Sequence, residues 1–293
     1  MLEVAHPPAG APGPDGGAAP VAARRLSGAL GAEIAGVALG AVDDALFAEI
    51  RRCLLEHLVL VFPGQTLTPA QQVAFTARFG EVVGHPLKSR RHLDEAPAVH
   101  VLENFAGHRG GRNDWWHSDV SFGEVPPMVS VLYGLEVPEG YGDTMFCNMY
   151  AAWEGLSPGL RDMLGGLTAL HSAATLAARN AGEGNDERPV SHLPPPAAHP
   201  VARTHPETGR KALYVNAYFT RRFADMTEAE SRPLLDYLIA RATPPENIYR
   251  HRWRPGDVVI WDNRCTMHYA IFDYGEDQRR VMHRTTALGD RPR

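Results

Sequence analysis

Beyond residue 80 the chain never sustains a long apolar run. Ala98–Leu102, Val129–Leu135, Ala212–Val215, Asp257–Trp261 and Val281–Leu288 are each four to eight residues long, carry β-branched side chains and are separated by Gly, Pro, Asn and Asp. Such segments read as short strands separated by turns. Helical periodicity is confined to a few places. Asp43–His57 sets Leu46, Ile50, Cys53 and Leu54 on one stripe, and the strand Leu58–Phe62 follows it, stopped by Pro63-Gly64. Thr68-Pro69-Ala70-Gln71 opens a second helix with a capping box; Val73, Ala74 and Phe79 supply its apolar positions before Gly80. Two more helices are expected, near Leu160–Leu167 and at Thr227–Ala242. The latter has a Thr227/Glu230 capping box and buries Leu234, Leu235, Leu238 and Ile239. Many short strands with a few flanking helices predict a mainly β fold around a double-stranded β-helix, the jelly-roll or cupin-like core.

Residues 1–24 are mostly Ala, Gly and Pro and predict a disordered leader. Residues 25–293 then form a single domain, beginning with a short hairpin between Arg25 and Leu39. Residues 176–200, with Gly182, Gly184 and Pro194-Pro195-Pro196, predict a mobile lid. A net charge of −5 and a pI near 6.3 give no reason to expect a nucleic-acid or anionic-membrane partner. No apolar run approaches the roughly 18 residues needed to span a bilayer. The start lacks the basic and apolar regions of a secretory signal. Cys53, Cys147 and Cys265 are odd in number and far apart, which predicts reduced thiols and a cytoplasmic protein rather than a disulfide framework.

The chemistry-bearing residues come in three pieces. In an extended strand His117 and Asp119, within Trp115-Trp116-His117-Ser118-Asp119, would share a face, offering an imidazole and a carboxylate to one metal. His268 follows the Asp257–Trp261 strand and could supply a second imidazole. Twelve residues on, a strand from Arg280 would set Arg280, Met282 and Arg284 on one face, and Val281 and His283 on the other. Two guanidiniums facing a barrel interior require anionic partners; taken alone, they are better read as exposed or paired with Asp or Glu. Gly142-Asp143-Thr144 places a hydroxyl just after a turn, where it can donate to a carboxylate.

Together these runs resemble the TauD/TfdA family of Fe(II)- and 2-oxoglutarate-dependent dioxygenases. The likeness rests on Trp116–Phe122, Gly142-Asp143-Thr144, Trp261-Asp262-Asn263-Arg264, His268-Tyr269-Ala270, Arg279–Arg284 and Gly289-Asp290-Arg291-Pro292, and spans residues 25–293. It implies that His117, Asp119 and His268 hold Fe(II). Arg280, with Thr144 and with Arg284 nearby, would bind 2-oxoglutarate, a planar guanidinium matching a carboxylate. Dioxygen is the second co-substrate, and 2-oxoglutarate is converted to succinate and CO2. Trp116 and Trp261 are candidate walls.

For the substrate, the resemblance places Arg284, His85 and Asn113 at the positions that grip a sulfonate in taurine-oxidising members. Lys88 departs from the tyrosine usual there, which argues against taurine itself. Ser157-Pro158, Gly209-Arg210-Lys211 and Cys265–His268 are similar to aryloxyalkanoate-oxidising members. The resulting expectation is a small anionic substrate (a sulfonate, sulfate ester or carboxylate) and a homo-oligomer, dimer or tetramer. A natural-product tailoring oxygenase acting on an amino acid is the alternative. A non-catalytic metal-binding cupin or a zinc hydrolase would leave Arg280 unexplained. His283 is expected to be structural. His57, His92, His108, His192, His199 and His251 are expected to be solvated, and Cys265 to have no role.

Overall fold

The computed structural model describes residues 21–86, 91–105, 113–182 and 193–293. Two β-sheets organise it. The larger is nine-stranded among these residues. Its order runs Ala23–Arg25, Ala32–Ile34, Val59–Phe62, Val258–Asp262, Pro127–Glu136, Arg280–Leu288, Ala96–Asn104 and His92–Leu93, with Val82–Val83 also on Arg280–Leu288. The smaller sheet sets Thr144–Asn148 between Ile248–His251 and Thr266–Ala270. Nearly all pairings are antiparallel; Ala32–Ile34 on Val59–Phe62 is parallel.

Strand alternation gives the large sheet two apolar faces. Val59, Val61, Leu132, Val259, Trp261 and Met282 join Phe146, Met267 and Tyr249 of the small sheet in one cluster. Leu60, Phe62, Val129, Val131, Val258 and Ile260 face the other way, onto helices carrying Ile50, Cys53, Leu54 and Phe75 and onto Phe79 in the turn that follows. Fully burying a side chain such as Ile50 contributes about 1.5–3 kcal/mol. The inter-sheet space is where a jelly-roll places its site, and the fold class expected from the strand pattern is the one observed.

The helix Asp44–His57 is capped by the Asp43 side chain and closed by Leu58 at φ 65°. The capping boxes Thr68/Gln71 and Thr227/Glu230 both form. The expected apolar face of the Pro69–Ala77 helix is corrected: Gln72, Phe75 and Thr76 are buried, whereas Val73 is half-buried and Ala74 exposed. The reason is a polar bridge to the sheet, in which Gln72 Nε2 donates to the His283 carbonyl (3.0 Å) and Thr76 Oγ1 meets Thr285 Oγ1 (2.6 Å). In the Glu228–Ala242 helix Leu235 and Leu238 are buried, while Leu234 and Ile239 are half-buried.

At the amino end Ala23 and Arg24, expected in the leader, belong to the first strand and pair with Ile34 and Glu33; residues 1–20 lie outside the described residues. The expected lid is bounded by regular structure, the helix Ala174–Gly182 and the strand Ala197–Pro200, and its residues 183–192 lie outside the described residues. His57, His199 and His251 are buried rather than solvated. The His199 ring, for example, donates from Nε2 between the Ser121 and Gly123 carbonyls (2.9 and 3.0 Å). His92 is half-buried, and His108 and His192 lie outside the described residues.

Candidate active site

His268 lies in the Thr266–Ala270 strand, and His117 is tied opposite it by an antiparallel bridge. The two residues exchange backbone hydrogen bonds of 3.0 and 2.8 Å, and their rings lie 4.1 Å apart. Asp119 does not arrive by strand alternation, as the sequence suggested. The chain turns after His117, with Ser121 N on Ser118 O and Gly123 N on Val120 O, and Val120 has φ 50°. A β-branched residue in the left-handed region costs about 1–2 kcal/mol, strain concentrated beside a carboxylate that must point inward.

The result is a compact, buried donor set. Asp119 Oδ1 is 3.9 Å from His117 Nε2 and 3.7 Å from His268 Nε2, and the three ligand atoms fall within 4.8 Å of one another. His117 Nδ1 lies 2.7 Å from the Trp115 carbonyl, which can only accept. Its proton therefore sits on Nδ1, and Nε2 presents its lone pair on the side of Asp119. Two imidazoles and one carboxylate are the donors that suit a divalent iron with open positions. Burial alone would raise the Asp119 carboxyl, but Arg284, His268, His117 and the Ser130 hydroxyl outweigh it and hold it below the usual carboxylate range. Burial, then His117 and Arg284, push His268 well below an ordinary imidazole against the pull of Asp119, which keeps it neutral as a ligand must be.

Arg280 is 8 % exposed and has no carboxylate within ion-pair distance among the described residues. Its Nη2 reaches the Gly142 carbonyl at 3.5 Å, its guanidinium lies 5.5 Å from the Tyr274 ring, and its Nε is buried without a hydrogen-bond partner. Burial pulls it below an ordinary guanidinium, with Tyr274 and Asp273 opposing. A buried cation left this way is a receptor for an anion. Gly142, at φ 69°, allows the close approach: a Cβ there would come within 2.9 Å of Arg280 Nε. Thr144 Oγ1 accepts from Trp253 Nε1 at 3.0 Å, leaving its own proton free to donate.

A cleft partly open to solvent joins these groups. His117, His268, Thr144, Arg280, Arg284 and Asn113 line it, with Leu132, Trp261 and Phe272 as apolar walls. Trp116 is not among its lining residues; it packs against Tyr269. His85 also lies outside the lining, with its ring 5.8 Å from that of His100, and Lys88 lies outside the described residues. Sequence reasoning missed Tyr274, Trp253 and Ser130. Only Ser130 left a local signal, a small hydroxyl inside the apolar run Met128–Leu132.

A second buried group, His205, Asp262 and Cys265, has ligand-like spacing but opposite chemistry. His205 Nδ1 accepts from the Glu207 and Thr208 amides, so Nε2 carries the proton and donates to Asp262 Oδ2 (3.0 Å). Arg264 occupies both Asp262 oxygens at 2.9 and 2.7 Å. A cation already fills that place.

The large sheet, the small sheet against it and the donor set between them define a dioxygenase of the cupin-like jelly-roll class. A model described as taurine catabolism dioxygenase TauD, TfdA family matches residues 22–286. An α-ketoglutarate-dependent sulfate ester dioxygenase of Pseudomonas putida is 36% identical over 275 residues, covering 91% of this chain and 89% of that protein. An α-ketoglutarate-dependent 2,4-dichlorophenoxyacetate dioxygenase of Cupriavidus pinatubonensis is 37% identical over 262 residues, covering 83% and 88%. The crystal structure of a taurine dioxygenase from Burkholderia xenovorans superposes with a TM-score of 0.79 at 36% identity, covering 94% of this chain and 93% of that one. The chain belongs to the TauD/TfdA family of 2-oxoglutarate (α-ketoglutarate)-dependent dioxygenases.

Proposed function

We propose that this dioxygenase is an Fe(II) enzyme that hydroxylates a small anionic substrate, a sulfate ester, a sulfonate or an aryloxyalkanoate, at a carbon next to the heteroatom. One observation carries the reading: the two histidines of a buried two-histidine, one-carboxylate set line the same cavity as Arg280, a buried cation without a carboxylate partner among the described residues. His117, Asp119 and His268 would hold the metal. Once bound, iron with 2-oxoglutarate and dioxygen supplies oxidative decarboxylation to succinate and CO2, with one oxygen atom going to the substrate C–H bond.

The chain's own residues do the positioning. Arg280 and the Thr144 hydroxyl take the distal carboxylate of 2-oxoglutarate, Leu132, Trp261 and Phe272 exclude water, and Arg284 and Asn113 orient the substrate anion. The substrate classes rest on the printed activities of the relatives and on the second buried cation, Arg284. Cytoplasmic location and a homo-oligomeric state belong to the same reading.

The test is anaerobic addition of Fe(II) and 2-oxoglutarate, followed by admission of dioxygen and a screen of alkyl sulfates, alkanesulfonates and aryloxyacetates for succinate release. A visible charge-transfer band and turnover with one anionic class are expected. A folded, metal-loaded protein without the band would sink the chelation model. Turnover only with uncharged substrates would sink the anionic assignment.

A further inference from the structure

The Trp261-Asp262-Asn263-Arg264 run is only partly used by the site as described. Trp261 is a wall, and Asp262 and Arg264 pair with each other, while Asn263 is 1 % exposed and touches neither cavity nor solvent. Its side chain nevertheless meets three partners. Oδ1 accepts from the Trp261 indole N–H (2.9 Å) and from the Asp119 backbone N–H (3.3 Å), and Nδ2 donates to Ser130 Oγ (2.9 Å). Ser130 Oγ in turn donates to Asp119 Oδ2 at 2.6 Å.

Every direction in this chain of bonds is forced. An indole nitrogen can only donate, so the Asn263 atom facing it is the oxygen. The opposite end of the amide is then the NH2, which can only donate, and Ser130 Oγ must accept. The hydroxyl has one proton left, and it points at Asp119 Oδ2. That oxygen is thereby turned away from the two imidazoles, while Oδ1 faces both. Arg284 Nη1 donates to Oδ1 at 2.9 Å, and the same oxygen lies 3.9 and 3.7 Å from the Nε2 atoms of His117 and His268. The backbone is braced at the same point, with Ser118 Oγ donating to the Asn263 carbonyl at 2.6 Å and Asn263 N donating to the Met128 carbonyl at 2.8 Å.

We propose that Trp261, Asn263 and Ser130 form a one-way hydrogen-bond relay that makes Asp119 a single-oxygen metal ligand. The relay rests on the metal reading given above. A carboxylate free to rotate can chelate through both oxygens and take a position that 2-oxoglutarate and dioxygen need. With Oδ2 committed to Ser130, only Oδ1 is offered. The three are positioning residues, acting through Asp119, and Trp261 serves a second purpose as a cavity wall.

The experiment titrates the full-length protein with Co(II), without 2-oxoglutarate or substrate, and records affinity and the Co(II) ligand-field absorption. Ser130→Ala removes the donor to Oδ2. Asn263→Asp removes the NH2 and reverses the polarity of the relay. Trp261→Phe keeps the ring and deletes only the N–H that orients Asn263. Ser130→Thr keeps the hydroxyl. Loss of Co(II) affinity by about tenfold or more in Ser130→Ala and Asn263→Asp is expected. Trp261→Phe should show a smaller loss, and the absorption should be altered in all three. Ser130→Thr should stay near wild type. Metal-free melting curves identify variants that are folded, and Trp261→Phe stands in if the Ser130 variants are not. Folded Ser130→Ala or Trp261→Phe protein with affinity within about twofold of wild type and unaltered absorption would overturn the relay alone. Wild-type protein that takes up no Co(II) would overturn the metal reading and the relay with it.

Discussion

Arg284 Nη1 lies 2.9 Å from Asp119 Oδ1, the same oxygen that faces the Nε2 atoms of His117 and His268. A cation so close to an oxygen of the proposed metal site opposes a second cation there, while the same arginine lines the cavity where the proposed substrate anion would lie. Replacing Arg284 with Met therefore separates two effects. Metal affinity is expected to hold or rise a few-fold, while affinity for the anionic substrate drops by roughly tenfold to a hundredfold, the worth of one charge-assisted hydrogen bond. Co(II) titration and substrate KM read the two separately. A lost charge-transfer band would instead place Arg284 with 2-oxoglutarate.

Gly142 and Arg280 are coupled by space rather than by a strong bond. A Cβ at residue 142 would meet Arg280 Nε at 2.9 Å and Tyr274 Cδ1 at 3.2 Å, and φ there is +69°. Gly142→Ala is expected to push the guanidinium off its carboxylate position. The half-saturating 2-oxoglutarate concentration should then rise about tenfold, in the same direction as Arg280→Ala, for which about a hundredfold is expected. Metal affinity should stay within about threefold in both. If Gly142→Ala weakens metal and 2-oxoglutarate equally, the damage extends beyond Arg280 to the Thr144–Asn148 strand that follows the turn.

Among the described residues two His/carboxylate groups have ligand-like spacing, and only one of them has a lone pair to offer. Arg264 closes the His205–Asp262–Cys265 group, and the Cys265 thiol is buried and pushed well above its ordinary value. Metal uptake is expected to saturate at one equivalent per chain. His268→Ala should abolish it and Cys265→Ser should leave it unchanged. A second equivalent that disappears in Cys265→Ser would show that Arg264 yields its place.

What could be read in the sequence was local or periodic. Capping boxes at Thr68 and Thr227 need only a three-residue spacing, and the Arg280–Arg284 face needs only alternation. His268, Arg280 and Thr144 were placed by the family resemblance, and the cavity brings them together. The remainder depended on contacts distant in sequence. Gln72 and Thr76 look like solvent-facing residues until Thr285 and the His283 carbonyl are beside them. Asp119 reaches its place through a left-handed Val120 that no propensity favours. His199 is buried because two carbonyls more than seventy residues earlier receive its proton.

The buried histidines also set an acid limit on stability. His171 and His199 lie with ring centroids 5.2 Å apart. Burial drives His171 well below an ordinary imidazole, and His199 adds to the effect. His199 is lowered by burial as well, against the Ser121 and Gly123 carbonyls. Both folded values lie below the unfolded one of about 6.5, so on acidification the unfolded chain takes up protons that the folded chain refuses. Stability is therefore full above about pH 6.5 and falls below it, by as much as about 1.4 kcal/mol per pH unit for each histidine that stays neutral. Urea unfolding at pH 7.5 and 5.5, with a chelator present, should show this loss. His171→Asn, which can still meet Ser121 Oγ but carries no titrating ring, should lower absolute stability and flatten its pH dependence. If the variant keeps the wild-type slope, His171 gains its proton within the folded state and the acid limit lies elsewhere.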